Sequence, residues 1–233
     1  MTWPVVAMPT GAAMSTDERI ERARVAYARA VYGGDTSALG DAEKGLAAVE
    51  ADAALARGLL LHARFQSAPA DAGSPPVEDP EELASFERAF ELYQALGDTR
   101  GEAEASFWIG CLHQFIRRDD ETALPYLERS RRLAAQAGDK PTWSEALRHL
   151  GIAAHAAGRL DEARERLEES SRLRREVGAL PGVASNMVGL AYIAAAQDRR
   201  ADAFATLDEA LAIARAHDAH AIVRHIEQAR ARI

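Results

Sequence analysis

Residues 146–179 read ALRHLGIAAHAAGRLDEARERLEESSRLRREVGA, and residues 186–219 read NMVGLAYIAAAQDRRADAFATLDEALAIARAHDA. The two stretches align at a constant offset of 40 residues without a gap. Leu150 then matches Leu190, and Leu167 matches Leu207. A fixed period of about 20–50 residues indicates stacked supersecondary units. We therefore expect a chain built from repeats.

A third copy precedes these two, since residues 105–139 read ASFWIGCLHQFIRRDDETALPYLERSRRLAAQAGD. Gly110 matches Gly151 of the next copy at an offset of 41 residues. Leu127 matches Leu167 at an offset of 40 residues. The extra residue falls in the polar turn 117–120, where an insertion disturbs no packed face.

Each unit has apolar residues at helical spacing and a turn in its middle, such as residues 157–159, so each is predicted to be a helix hairpin. Glycines suit the left-handed residue that ends a helix, and prolines suit the first turn of the next helix. The residues at these predicted boundaries are Gly97, Gly138, Gly178, Pro141 and Pro181.

The N-terminal part is the most degenerate. A capping box over residues 15–18 predicts a helix to about Tyr32, followed by a second helix near residues 36–49. Residues 53–66 and 79–98 predict the two helices of the next unit.

These patterns predict three parts of the chain. Residues 1–14 form an N-terminal extension, disordered in one interpretation, and residues 15–217 form the helical repeat domain. Within that domain, residues 67–80 are rich in proline, glycine and serine and predict a flexible insertion. Residues 218–233 carry an apolar stripe on an otherwise polar helix, which is typical of a terminal capping helix.

Composition excludes several classes of protein. Apolar residues make up 48% of the chain and aromatic residues only 6%, which favours an all-α fold with closely packed helices. The net charge of -8 opposes nucleic-acid binding. A single cysteine, Cys111, gives no disulfide or thiolate metal site. Without a secretory signal in the first fourteen residues or an apolar run of about 18 residues, we expect a cytoplasmic protein that does not enter membranes.

The pattern of Leu150-Gly151, Gly158, Ala163 and Leu167 resembles the tetratricopeptide repeat. The usual repeat has about 34 residues, so the period here resembles a longer-helix variant of bacterial regulatory and signalling proteins. The resemblance implies a right-handed superhelical solenoid of antiparallel helix hairpins, with about five pairs and a C-terminal capping helix. It also implies a concave face, lined by the first helix of each unit, that holds a peptide or partner helix.

Matching positions place one group of side chains on that concave face. An aromatic anchor beside a guanidinium recurs at binding hot spots, so an acidic or carboxylate-ended peptide would fit. In the alternative interpretation the aromatic residues pack against neighbouring helices. The residues expected on the face are Arg57, Arg64, Glu104, Phe107, Cys111, Gln114, Phe115, Arg148, Ile152, His155, Val188 and Tyr192.

No phosphate loop, dinucleotide-binding glycine motif or nucleophile elbow is present, so we predict no catalytic residues, no cofactor and no metal. Cys111 and His113 point about 200° apart on one helix and form no catalytic dyad. Residues 161–177 carry opposite charges at helical spacing, such as Glu162 with Arg166, and predict a salt-bridged outer face.

Three functions remain open. The first is a non-catalytic scaffold that binds a protein or peptide. The second is a regulatory sensor of a small molecule or signalling peptide, and the third is an accessory factor or enzyme of a biosynthetic pathway that uses the concave groove. Self-association is a further expectation, through apolar surface at the repeat ends and around Trp3 and Val5.

Overall fold

The computed structural model describes residues 17–67 and 77–233, and within them it contains ten α-helices and no strand. The extension 1–14, residues 15 and 16 of the capping box and residues 68–76 of the insertion 67–80 lie outside these residues. The predicted all-α class of consecutive helix hairpins is confirmed. The helices are α1 (Glu18–Gly33), α2 (Leu39–Ser67), α3 (Pro80–Leu96), α4 (Thr99–Phe115), α5 (Asp120–Ala137), α6 (Lys140–Ala156), α7 (Leu160–Glu176), α8 (Leu180–Ala196), α9 (Arg200–Ala216) and α10 (His220–Arg232).

The described residues form two compact units, 17–109 and 110–233. In the first unit α2 packs against both α1 and α3. In the second unit each helix from α5 to α9 packs against the next, and α10 packs against α8 and α9. The candidate site described below lies within this second unit.

Helix boundaries follow the predicted punctuation. Gly97, Gly138 and Gly178 have φ values of 69°, 67° and 72°, the left-handed conformation that glycine adopts without a steric penalty. Pro141 and Pro181 lie in the first turns of α6 and α8, where no backbone N–H is needed.

Arg118 occupies the left-handed position in the turn between α4 and α5, with a φ of 58°. The corresponding turn between α6 and α7 has Gly158 there, with a φ of 74°. A side chain with a Cβ pays about 1–2 kcal/mol in this conformation. The arginine is therefore a strained choice for this turn.

Arg118→Gly is expected to raise the free energy of unfolding by about 0.5–1 kcal/mol, because relief of strain exceeds the added freedom of the unfolded chain. Urea unfolding followed by circular dichroism measures the change. Arg117→Gly is the matched control, since Arg117 has no positive φ. An equal gain in both variants would contradict the strain argument.

One predicted boundary is wrong: the helices predicted at residues 36–49 and 53–66 are not separate, because residues 39–67 form the continuous α2. The intervening Glu50, Ala51 and Asp52 include no residue that ends a helix, and Ala51 is completely buried. Asp52 pairs with Arg19 of α1 at 2.8 Å and accepts a hydrogen bond from the Tyr93 hydroxyl of α3 at 2.8 Å. Burial and this carboxylate raise the pKa of Tyr93. Asp52 thus joins three helices.

Close helix contacts explain the small residue after leucine in the repeat. A Cβ on Gly151 would lie 3.1 Å from Cγ of Leu167, which is tighter than ordinary packing allows. Ala163, Leu167, Ala203 and Leu207 are all at most 2% exposed. The repeated positions are therefore the core of the second unit.

Candidate functional site

Arg148 of α6 extends to the first half of α8. Its Nη1 donates to the carbonyl of Ser185 and to Oδ1 of Asn186, both at 3.3 Å. The arginine remains partly exposed, whereas Asn186 is completely buried. One edge of the guanidinium is therefore held by protein.

The Asn186 amide is itself held by two hydroxyl groups. Its Nδ2 donates to Oγ of Ser170 at 2.9 Å and to Oγ of Ser171 at 3.1 Å. Oγ of Ser170 donates in turn to the carbonyl of Ser144 at 2.6 Å. Because the amide nitrogen is used on α7, the amide oxygen faces Arg148. The network therefore holds the guanidinium in one position.

A second arginine, Arg174 of α7, lies beneath this surface and is only 1% exposed. Its Nη1 donates to the carbonyl of Gly182 at 2.7 Å. Its Nη2 lies 2.7 Å from Oε2 of Glu145, a close ion pair whose alignment does not make a hydrogen bond. A Cβ on Gly182 would lie 2.6 Å from Nη1 of Arg174, so a glycine is required for this approach.

The charges of this cluster do not balance. Glu145 pairs with Arg174, and Arg148 forms no ion pair with any residue of 17–67 or 77–233. Burial and the Arg174 charge lower the pKa of Arg148 to about 10, against the opposing effects of Glu145 and Cys111. Arg148 is still protonated at neutral pH, so two cations face one carboxylate.

His225 of α10 lies in the same positive field. Burial is the largest cause of the lowered pKa of His225, and the charges of Arg148 and Arg232 lower this pKa further. This region of α6, α8 and α10 favours an anion over a cation.

The end of α4 is tied to α6 by a reciprocal pair. Nε2 of Gln114 donates to the carbonyl of His149 at 3.2 Å, and Oε1 of Gln114 lies 2.9 Å from Nδ1 of His149. The Phe115 ring meets the His149 ring edge to face at 5.0 Å. Gln114 is 6% exposed and works as a structural contact, whereas Phe115 remains 38% exposed.

The other residues expected on the face of the second unit separate by burial. Cys111 and Val188 are 4% and 1% exposed, so they present little surface to a ligand. Ile152, His155 and Tyr192 are partly exposed. Tyr192 also packs against the apolar core of α8, α9 and α10.

The first unit holds the remaining four predicted residues. Arg57 and Arg64 are exposed on α2, and Glu104 is partly exposed on α4. Phe107 is 4% exposed and meets the Trp108 ring edge to face at 5.0 Å. Core packing thus accounts for Phe107, and the binding role of all twelve residues stays a prediction.

Sequence reasoning missed Arg174, because residues 161–177 were interpreted as a salt-bridged outer face. The Glu162–Arg166 pair is present at 3.9 Å, but Arg174 faces the interior. The 40-residue register contained the signal. It places Arg174 where the other copies have Ala134 and Ala214, both completely buried.

The described part of the chain offers no cluster of three or more His, Cys, Asp or Glu side chains that could hold a metal. None of its helices combines the length and apolar character needed to cross a bilayer.

Comparison with known proteins supports the repeat assignment. A family model described as Tetratricopeptide repeat matches residues 111–176 and 143–216. No curated protein matches the chain. The two overlapping matches include Arg148, Arg174 and Asn186, so the candidate site lies within recognised repeats.

Proposed function

Because this chain is a tetratricopeptide repeat protein, we propose that it is a non-catalytic scaffold that binds a protein partner, with the C-terminal carboxylate of that partner at Arg148. Repeats of this family generally mediate protein–protein interaction or scaffolding, and the family is typically non-catalytic. The partner then binds at the surface of α6, α8 and α10.

The uncompensated charge of Arg148 is the observation that carries the proposal. Arg148 is partly exposed, Nη1 of its guanidinium is held by Ser185 and Asn186, and no carboxylate of the described residues forms an ion pair with it. A guanidinium binds a carboxylate through two parallel hydrogen bonds when it is held in place. A ligand carboxylate would supply the negative charge that Glu145 gives to Arg174 instead.

Neighbouring side chains suit a peptide. Ile152 lies one helical turn beyond Arg148 on the same face of α6, and Tyr192 is partly exposed on α8. An apolar residue next to the terminal carboxylate would contact these side chains. Tyrosine and arginine are among the residues enriched at interface hot spots.

A pair of randomised octapeptide libraries tests the proposal, one with a free C-terminal carboxylate and one with a C-terminal amide. We expect wild-type protein to select peptides from the free-acid library. Each selected peptide is expected to bind about tenfold more tightly than its C-terminal amide, as a charged hydrogen bond predicts. Arg148→Gln is expected to remove this difference. Fluorescence anisotropy measures the affinities.

Arg175→Gln is the matched control, because Arg175 is an exposed arginine on α7. This variant is expected to bind the selected peptides with the same affinity as the wild-type protein. The proposal is wrong if free-acid and amide peptides bind alike, or if Arg148→Gln keeps the preference. Circular dichroism of each variant confirms that helix content is unchanged.

A further inference from the structure

Exposed apolar side chains are concentrated on the first two helices. Six of the nine large hydrophobic residues that are exposed in residues 17–67 and 77–233 lie on α1 and α2. They include Val25 at 53% and Tyr32 at 84% exposure. The only buried residue of α1 is Ala26. Val25 and Tyr32 are seven residues apart on one face of α1, and both side chains stay exposed in the described chain.

A shallow cleft of about 540 Å³ runs between α1 and α2 beside this face. Its other side is formed by Ala38, which precedes α2, and by Asp41, Ala42 and Gly45 of α2. The small residues of this side let another helix approach closely. A Cβ on Gly45 would make ordinary van der Waals contact with Arg19, at 3.6 Å from Cβ and 4.0 Å from Cγ, so α1 lies close to α2 at this point.

We propose that this face binds a second copy of the chain, with the two α1 helices antiparallel about a two-fold axis that passes beside Val25. In this arrangement each residue before Val25 meets the residue equally far after it on the partner. Glu21 then faces the partner's Arg29, and this pair occurs twice. The partner's Tyr32 then lies beside Glu18.

Charges within α1 agree with this pairing. The only ion pair of Glu21 in the described chain is to Arg24 at 2.7 Å, within the same exposed helix, and Arg29 has none there. An isolated intrahelical pair at the surface contributes little, so Glu21 can accept a second partner. One face of α1 has residues at three- and four-residue spacing, namely Glu18, Arg22, Val25, Arg29 and Tyr32.

The size of the face sets the expected strength. A helix of 16 residues is about 24 Å long, so two such helices bury less than the roughly 800 Å² per partner of a standard interface. The dimer is therefore weak and depends on protein concentration. Sedimentation velocity over a range from about 5 µM to 1 mM covers the affinities expected for an interface of this size.

Charge reversal on the full chain tests the pairing. Glu21→Arg and Arg29→Glu are each expected to weaken self-association about tenfold or more, because like charges then face each other twice. An equimolar mixture of the two variants is expected to regain at least the wild-type affinity, since each reversed residue then meets its opposite. Misfolding of either variant would not be repaired by mixing.

Two valines provide a matched comparison. Val25→Glu places two carboxylates at the axis and is expected to abolish the dimer. Val31→Glu, at a valine with 56% exposure about 120° away around the helix, is expected to leave it intact. The proposal is overturned if wild type stays monomeric at 1 mM, if the mixture associates no better than the single variants, or if Val25→Glu and Val31→Glu behave alike.

Discussion

Gly58→Ala is expected to lower the free energy of unfolding by about 2 kcal/mol. A Cβ at this position would lie 2.4 Å from Cε1 and 2.6 Å from Cδ1 of Phe86, a ring that is completely buried. Overpacking of a core costs about 1–3 kcal/mol, and contacts this short lie at the upper end. The better helix propensity of alanine returns up to about 1 kcal/mol.

Gly45→Ala is the matched control, because Gly45 also lies within α2 and a Cβ there would make only ordinary contacts at 3.6 Å or more. It is expected to raise the free energy of unfolding by about 0.5–1 kcal/mol through helix propensity. Urea unfolding of both variants at the same low protein concentration gives the comparison. Changes of the same sign would contradict the close contact between α2 and α3.

Arg174→Ala is expected to destabilise the protein by about 3 kcal/mol. The substitution leaves Glu145 without its ion-pair partner, removes the hydrogen bond to the carbonyl of Gly182 and empties a fully buried volume. Loss of one member of a buried ion pair costs about 3–5 kcal/mol. Glu145 keeps 28% of its side chain exposed and can be partly rehydrated, which places the loss at the lower end.

Two further variants separate charge from packing. Arg174→Met keeps most of the side-chain volume and is expected to lose less than Arg174→Ala. Arg175→Ala changes the exposed neighbour and is expected to stay within about 0.5 kcal/mol of wild type. Equal losses at residues 174 and 175 in thermal and urea unfolding would show that Arg174 is not buried as described.

The helix hairpins of the second unit were predictable because each turn has its own local signal. Gly138 and Gly178 adopt left-handed backbone conformations, and Pro141 and Pro181 begin the following helices. The extent of α2 was less accessible, since the sequence around Asp52 contains neither a strong stop signal nor evidence of its contacts with α1 and α3. Continuity of a helix across such a stretch depends on those contacts.

The site was predictable only in part. The repeat register placed Arg148 on the face of α6, and its position there follows from helical spacing alone. The register also placed Phe107, Cys111 and Val188 on that face, although each is less than 5% exposed. Burial depends on how closely neighbouring helices approach, and helical spacing does not contain that distance.

The amino-acid order alone was sufficient for the all-α class, the 40-residue register and the ends of most helices, because these depend on interactions between residues close in the chain. The hydrogen bonds of Arg174, Asn186 and Gln114 join residues of different helices that are 8 to 35 positions apart in the sequence. Only tertiary packing decides which of the two adjacent arginines, Arg174 or Arg175, is buried. It also decides whether the Glu145 carboxylate pairs with Arg174 or with Arg148. That choice leaves Arg148 with an unbalanced charge, since a buried cation gains more than a partly exposed one from a single available counter-charge.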